Sequence, residues 1–446
     1  MSPNWQHLHQ FIGHHQLNAH PLVVALSGGA DSVALLHMFF KLREHNNQSF
    51  SAIHVNHGLS ENAGQWQSYV TELCQRWDVP LTVCQVNIVK KNRTSLEHQA
   101  RNARYSAIAN ELAPNSVLFT GHHQVDQVET FLLRLMRSSG LTGLTAMKPL
   151  SSYPLSNIKS KKLQIARPLL DINKQQLLAE LSQQQIAWVE DESNSDDAFD
   201  RNFVRNKVLP LLSERWPNAS QSVSSSIKLL QQEAQLLEEY IEVDYQRCVT
   251  HGFMKLSALD INQLKTFSVN KQSVIVRRFI QLMSGVTPTK NALEQILHQA
   301  CVASVDAQPQ VKVGDFWACI HKEQLYIVPD LAQQKCQLET ITSIKSDVPV
   351  ILSQPAVYST ITVHSDSLDF KRLSIQWGHN THASCATLKP NKNSGSKKVK
   401  ALLKQAACPP WLRDKVPLMF LDEQLIAVGN LYIDVDWQNQ IKITVG

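Results

Sequence analysis

Residues 22–32 read L-V-V-A-L-S-G-G-A-D-S. The opening apolar run has the length of a buried strand, and Ser27, Gly28 and Gly29 break it. From Val33 to Leu42 apolar residues recur at helical spacing. Strand, glycine turn and helix start, in that order, make an anion site. Gly28 and Gly29 allow positive φ and close approach of the backbone to a ligand. Free N–H groups at the helix start, with the positive end of the helix dipole, favour phosphate oxygens. Asp31 is an odd choice for a loop that only holds an anion. A carboxylate beside phosphates suits Mg²⁺, which takes one or two carboxylates plus phosphate oxygens.

The pattern is neither the G-K-[ST] phosphate loop nor the dinucleotide G-x-G-x-x-G. The stretch Ser27, Gly28, Gly29, Ala30, Asp31, Ser32 resembles the loop of the ATP pyrophosphatases, which split ATP between its α and β phosphates and adenylate a substrate. The surroundings agree. Strand-like segments at 50–55, 81–86 and 117–120 alternate with helix-like segments at 62–77, 95–113 and 124–137. This alternation predicts a parallel sheet with helices on both faces. Ligands of such sheets bind beyond the carboxyl ends of the strands. Three motifs fall there: S-G-G-A-D-S at 27–32, H-V-N-H-G-L at 54–59 and G-H-H-Q-V-D at 121–126.

The side chains in these motifs have alternative readings. His54 and His57 are either turn and packing residues or ligand contacts. Glu97, Arg101 and Arg104 share a helix face, as an exposed ion-paired surface or as guanidiniums aimed at phosphates. His122 and His123 precede Asp126 and Glu129, whose i, i+3 spacing makes their carboxylates neighbours on one helix. The pair suits a metal, an ammonium group or plain solvent. Adjacent histidines chelate poorly and no H-E-x-x-H is present, which argues against zinc. Arg134 and Arg137 follow on the same helix.

Further along, 150–162 reads as a polar hairpin and 173–186 as a helix. The stretch from Trp188 through Arg201 and Arg205 is polar and aperiodic, as a binding loop is. A long amphipathic helix at 218–245 leads to a second domain at about 250–330, helical first and strand-like later. Residues 331–350 read as a linker, and 351–446 as strands. The N-terminus lacks a basic head followed by an apolar run, and no apolar stretch reaches membrane-spanning length. The eight cysteines form no C-x-x-C pair, as expected of a chain kept in a reducing cytoplasm. The net charge is +5, but residues 371–415 hold ten Lys/Arg against one acid, and the rest 33 against 37. The positive charge is gathered near the C-terminus, as expected if that part meets a polyanion.

Taken together the motifs resemble the bacterial tRNA(Ile)-lysidine synthases. The likeness runs through S-G-G-A-D-S, H-V-N-H-G-L, E-H-Q-A-R-N-A-R-Y at 97–105 and T-G-H-H-Q-V-D-Q-V-E-T-F-L-L-R-L-M-R from 120. It continues through G-L-T-G-L at 140–144, R-P-L-L at 167, the 191–205 loop, K-K-V-K-A-L-L-K at 397 and P-P-W-L-R-D at 409. Ser138 departs from the glycine usual in that family. The resemblance implies an α/β fold: a parallel-sheet ATP-pyrophosphatase domain over 1–216, a helical and α+β middle domain over 217–330, and a small, mostly β, basic domain over 351–446. It implies ATP and Mg²⁺ as cofactors, tRNA(Ile) with a CAU anticodon and free L-lysine as partners, no membrane, and a cytoplasmic enzyme. A homodimer is compatible with it. The wobble cytidine would be adenylated at its C2 oxygen, and the lysine ε-amine would then displace AMP.

The implied roles place phosphates on Ser27–Ser32 and Mg²⁺ on Asp31. Lysine falls to Asp126 and Glu129, and proton transfer or cytidine positioning to His122 or His123. Arg101, Arg104, Arg201 and Arg205 would meet phosphates or RNA. Lys397, Lys398, Lys400, Lys404 and Arg413 would hold the tRNA. A tRNA thiolase on the same loop fold would need a sulfur-carrying cysteine, and Cys74 and Cys84 lie mid-helix and mid-strand. A non-catalytic tRNA binder would not need Asp31, Asp126 and Glu129 intact.

Overall fold

The computed structural model describes residues 4–445 except 57, 59, 61, 87–95, 155–160, 254–255, 303–308, 330–340, 343, 352–359, 366–367, 369 and 378–385; of 96–98, 100, 193–194, 301–302 and 351 it describes the backbone alone. The chain divides into two compact units, Met1–Tyr240 and Ile241–Gly446.

In the first unit β1 (Leu22–Ala25), β2 (Ser51–Asn56), β3 (Leu81–Gln85), β4 (Val117–Phe119), β5 (Leu150–Ser152) and β6 (Gln164–Ala166) form one sheet in the order 3-2-1-4-6-5. All neighbours are parallel except β5, which pairs antiparallel with β6. The side-chain alternation of the strands explains why both faces are covered. Leu22, Val24, Ala52, Val117, Phe119 and Ala166 enter one core, with Leu35 and Phe39 of α2 (Ala30–Asn46) and Leu8 and Ile12 of α1 (Trp5–His14). Val23, Ile53, Leu118 and Ile165 point the other way, onto Tyr105, Ile108 and Leu112. The first two lie on α4 (Leu96–Glu111), which follows α3 (Ala63–Arg76) in the chain. The expected segments are therefore present, with ends moved by a residue or two.

The strand order reverses between β1 and β4. That reversal opens a crevice at their carboxyl ends, where open α/β sheets bind ligands. The crevice is completed by α5 (Gln124–Met136), α7 (Lys174–Gln183) and the short helix α8 (Asp200–Phe203), while α6 (Leu141–Leu144) follows α5 in the chain. A π-helical turn, Val204–Val208, joins α8 to α9 (Leu209–Arg215). The long helix α10 (Ala219–Cys248) comes next.

In the second unit two short strands, β7 (Val249–His251) and β8 (Ser257–Asp260), precede α11 (Ile261–Lys265), α12 (Val269–Ser284) and α13 (Lys290–Val302). The sequence reading placed the helices first. These strands are too short for their periodicity to show, and β8 gains its order by pairing with a strand more than sixty residues away, β11 (Gln324–Pro329). With β9 (Gln310–Val313) and β10 (Phe316–His321) they form an antiparallel sheet in the order 7-8-11-10-9. Ile275, Phe279 and Ile280 of α12 pack beneath it.

Beyond it lie small antiparallel sheets, as the alternating pattern predicted. The stretch read as a linker is partly built in: Ile344 is buried and Ile341 bridges to Ile375. The C-terminal helix α14 (Val399–Gln405) starts at the lysine cluster and buries Val399, Leu402 and Leu403. Among the described residues Cys74, Cys84, Cys248, Cys319 and Cys408 are buried, free thiols. No described helix is long and apolar enough to cross a membrane.

Candidate active site

A cavity of about 1040 Å³ occupies the crevice. Ser27, Gly29, Ala30, Asp31 and Ser32 line it from the β1 turn, His54 and Asn56 from β2, and Thr120, Gly121 and His122 from the end of β4. The turn is organised by Ser32. Its hydroxyl accepts from the Ser27 and Gly28 N–H groups, both at 3.2 Å, and donates to Gly29 O at 2.9 Å. Gly28 has φ +95°, and a Cβ there would stand 2.8 Å from Val189 Cγ2, so a side chain is excluded on two counts. At Gly121 a Cβ would fall 2.7 Å from Asp31 O, so the two loops pass each other backbone to backbone only because this residue is glycine. His54 is buried, with Nδ1 2.8 Å from Leu26 O, which ties the β2 end to the β1 turn. His57 lies outside the described residues.

The two adjacent histidines are tuned in opposite directions. His123 caps α5: its Nδ1 accepts from Val125 N–H at 3.2 Å, and its own N–H donates to Asp126 Oδ2 at 2.9 Å. Its Nε2 lies 3.4 Å from Asp31 Oδ2 and 3.6 Å from Asp126 Oδ2. Burial works to lower the His123 pKa, but the hydrogen bond to Asp31 and the Asp126 and Asp31 charges raise it overall. His122 faces the cavity, and burial pushes it down to about 3. The Asp126 charge opposes that shift, and the Arg167, Arg201 and Arg101 charges add to it. At neutral pH His122 is thus an uncharged imidazole, held by Thr120 Oγ1 at 2.8 Å from Nδ1.

Asp126 and Glu129 are not open to an ammonium group in this arrangement. Arg201 donates from Nε to Glu129 at 2.6 Å and from Nη2 to Asp126 at 2.8 Å. Arg205 donates from Nε to the other Glu129 oxygen at 2.6 Å and from Nη2 to Asp126 at 3.3 Å. Glu129 is fully buried. Burial would raise the Asp126 carboxyl, but the His123, Arg201 and His122 charges and the His123 N–H hold it at about 2. Arg201 is held above its ordinary value against the cost of burial, by Asp126 and Glu129. Asp126, Arg201 and Arg205 line the cavity, and Glu129 sits behind them. Sequence spacing placed the carboxylates together; the partners, more than seventy residues away, were not legible from it.

Asp31 Oδ2 faces His123, while its Oδ1 is buried with no hydrogen-bond partner. Arg104 lines the cavity and Arg101 does not, and both stack on Tyr105, at 5.7 and 5.1 Å. The Glu97 side chain lies outside the described residues. The 188–197 loop lines the cavity through Trp188, Val189, Glu190, Asp191, Glu192, Ser195 and Asp197. Sequence reading missed Trp66, Lys174 and Lys207 in the lining. The signal for Lys174 was available: Asn173 caps α7, so its first residue stands at a helix start beside the site.

Family models match three parts of the chain: a PP-loop domain over residues 3–212, a TilS substrate binding domain over 259–326 and a TilS substrate C-terminal domain over 382–444. The chain is 32% identical to the tRNA(Ile)-lysidine synthase of Actinobacillus pleuropneumoniae over 423 residues, covering 91% of this chain and 95% of that one. The chain belongs to the tRNA(Ile)-lysidine synthase family. The Serratia proteamaculans relative is 33% identical, covering 94% of this chain and 93% of its own. The Salmonella typhimurium relative is 34% identical, covering 94% of each. The match to a PP-loop domain supports use of ATP by this chain.

Proposed function

We propose that this chain is the ATP-dependent ligase that joins L-lysine to the wobble cytidine of tRNA(Ile) with a CAU anticodon. The product, lysidine, changes the codon read from AUG to AUA and the charging from Met to Ile. In the first half-reaction the cytidine C2 oxygen attacks the α-phosphorus of ATP and pyrophosphate leaves. In the second the lysine ε-amine attacks C2, the C2–O bond breaks, AMP departs with the oxygen and the amine loses a proton. One observation carries the reading. The β1 turn, Asp31, His122, Asp126, Arg201 and Arg205 all face the same cavity. Its volume is at the upper end for single small-ligand pockets, which suits a nucleotide and a cytidine side by side.

The Ser27–Ser32 turn holds the ATP phosphates with backbone N–H groups at the start of α2. The orphaned Asp31 Oδ1 suits Mg²⁺, which would offset charge developing on the leaving pyrophosphate. His122, uncharged and facing the cavity, positions the cytidine or takes the amine proton. His123 positions Asp31 against Asp126. Lysine is assigned to the face formed by Asp126, Arg201 and Arg205 through its α-carboxylate, which the two guanidiniums can take, with Glu129 holding them in place. Residues 1–216 form the catalytic part, 217–330 the middle tRNA-binding part and 351–446 the basic tRNA-binding part, in a cytoplasmic enzyme.

The test is Asp31→Asn, which is isosteric and keeps the fold. It lowers the adenylation rate at least ~100-fold, the scale of one lost preorganised electrostatic contact. Normal turnover in that variant, with Mg²⁺ still required, would remove Asp31 from the metal.

A further inference from the structure

The helix after β2 carries an aromatic ring that its packing does not use. The apolar stripe of α3 runs through Ala63, Trp66, Val70, Leu73 and Cys74, at the spacing of a core-facing side. Val70, Leu73 and Cys74 enter the core against the sheet. Trp66 belongs to the same stripe but lies one turn nearer the helix start, and there it lines the cavity with Ala63. It is half-buried. Among the described residues its ring stacks on no other ring and joins no hydrophobic cluster. Tyr69 on the next turn, and Trp188, which also lines the cavity, do pack against the sheet core.

The place of Trp66 is fixed from two sides. Asn56, the last residue of β2, donates from Nδ2 to Gln67 Oε1 at 2.9 Å, which holds this end of α3 at the carboxyl end of β2. One turn further along, α3 stands against the β1 turn: a Cβ at Gly28 would meet Val70 Cγ1 at 3.2 Å and Tyr69 Cδ1 at 3.7 Å. The indole is therefore beside the β1 turn, on its β2 side. A large flat ring presented to a polar cavity is what nucleobases stack on, and every base has a π-face to offer. The layout of the cavity selects the base. β2 and β4 flank β1 in the sheet. His122 and Asp126 face the cavity from the end of β4 and the start of α5, across the β1 turn from Trp66. A nucleotide with its phosphates on that turn and its α-phosphorus toward β4 has its base on the β2 side.

We infer that Trp66 is the stacking platform for the adenine of ATP. This rests on the proposed use of the cavity for adenylation of a cytidine. The ring acts on the base and not on the phosphates, which have their own cradle at the β1 turn. By holding the adenosine on the β2 side it turns the α-phosphorus toward the β4 end, where the cytidine is placed.

The experiment measures binding of ATP and of inorganic tripolyphosphate, each with Mg²⁺, to the full chain by calorimetry. Binding of an anticodon stem-loop RNA of tRNA(Ile), CAU anticodon, is measured alongside. Trp66→Leu keeps apolar bulk and removes the π-face, and it weakens ATP binding about tenfold, within the range of one lost base stack. Tripolyphosphate, which has no base, and the RNA bind as they do to the wild type. Trp66→Phe restores most of the ATP affinity. Because Trp66 covers no core, both variants keep the wild-type denaturation midpoint. Unchanged ATP affinity in Trp66→Leu overturns the platform. Weakened RNA binding with ATP affinity intact assigns the ring to a base of the RNA and also overturns it. An equal loss for ATP and tripolyphosphate makes the role of the ring a structural one at the β1 turn, which overturns it too. A wild-type protein that makes lysidine while Trp66→Leu binds ATP equally well separates this failure from failure of the functional reading. A wild-type protein that binds no ATP fails that reading itself, and the platform with it.

Discussion

At the scale of residues the site is a set of charges whose balance depends on burial. Glu129 is fully buried and meets two guanidiniums, so its negative charge is what lets Arg201 and Arg205 lie side by side. Glu129→Gln leaves two half-buried guanidiniums over one carboxylate and costs about 3 kcal/mol of folding stability, the scale of breaking a buried pair from one side. Chemical denaturation checks this. In the same variant the lysine KM rises more than the ATP KM, because the displaced arginines form the face proposed for lysine. An equal rise in both constants would point to a shared metal role. The carboxylates, the histidines and Asp31 were legible in sequence because short-range spacing on a strand end or helix start fixes their direction. The opposite tuning of His122 and His123 was not, since it depends on which imidazole turns toward Asp31 and which toward the cavity.

At the scale of elements, the end of α5 shows how one local rule is bent. Ser139 N–H donates to Arg134 O at 3.1 Å and Ser138 N–H to Leu135 O at 3.0 Å, the paired bonds that close a helix through a left-handed residue. Ser138 is that residue, at φ +54°. This explains why a glycine is expected there: a Cβ in this conformation costs roughly 1 kcal/mol. Ser138→Gly therefore raises stability by about 0.5–1 kcal/mol with no change in activity, as read from the denaturation midpoint. A loss of stability would mean that the serine hydroxyl compensates. The sheet of the first unit was readable because each strand is a short apolar run between breakers. The β7 and β8 strands were hidden because they owe their order to pairing with each other and with a distant strand.

At the scale of the molecule, charge is divided along the chain. Residues 371–415 carry ten basic side chains and one acid, and the remainder is slightly acidic. Residues 1–216 are nearly balanced, with 20 Lys/Arg against 18 Asp/Glu, so that part supplies little attraction for a tRNA beyond a Debye length, roughly 8 Å at physiological salt. A basic domain elsewhere in the chain offsets this by raising the effective concentration of the anticodon loop. Lys398, Lys400 and Lys404 are exposed at the start and along α14, and Lys397 reaches Gln405 at 2.9 Å. Replacing these four with Gln flattens the salt slope of tRNA binding by ~3 and leaves ATP binding unchanged. Parallel slopes in the two proteins would show that the lysines touch no phosphate. The charge gathering was plain in the sequence, whereas the packing of Ile344 inside the supposed linker was not, because a single apolar residue in a polar stretch carries no period. The central claim is that one cavity adenylates a cytidine and then passes it to lysine. The most direct test is mass analysis of nucleosides from tRNA(Ile) with a CAU anticodon after incubation with the protein, ATP and L-lysine. The account predicts a cytidine heavier by one lysine less one water, absent without ATP or without lysine, with AMP and pyrophosphate released in equal amounts to it; an unmodified cytidine, or ADP in place of AMP, would contradict it.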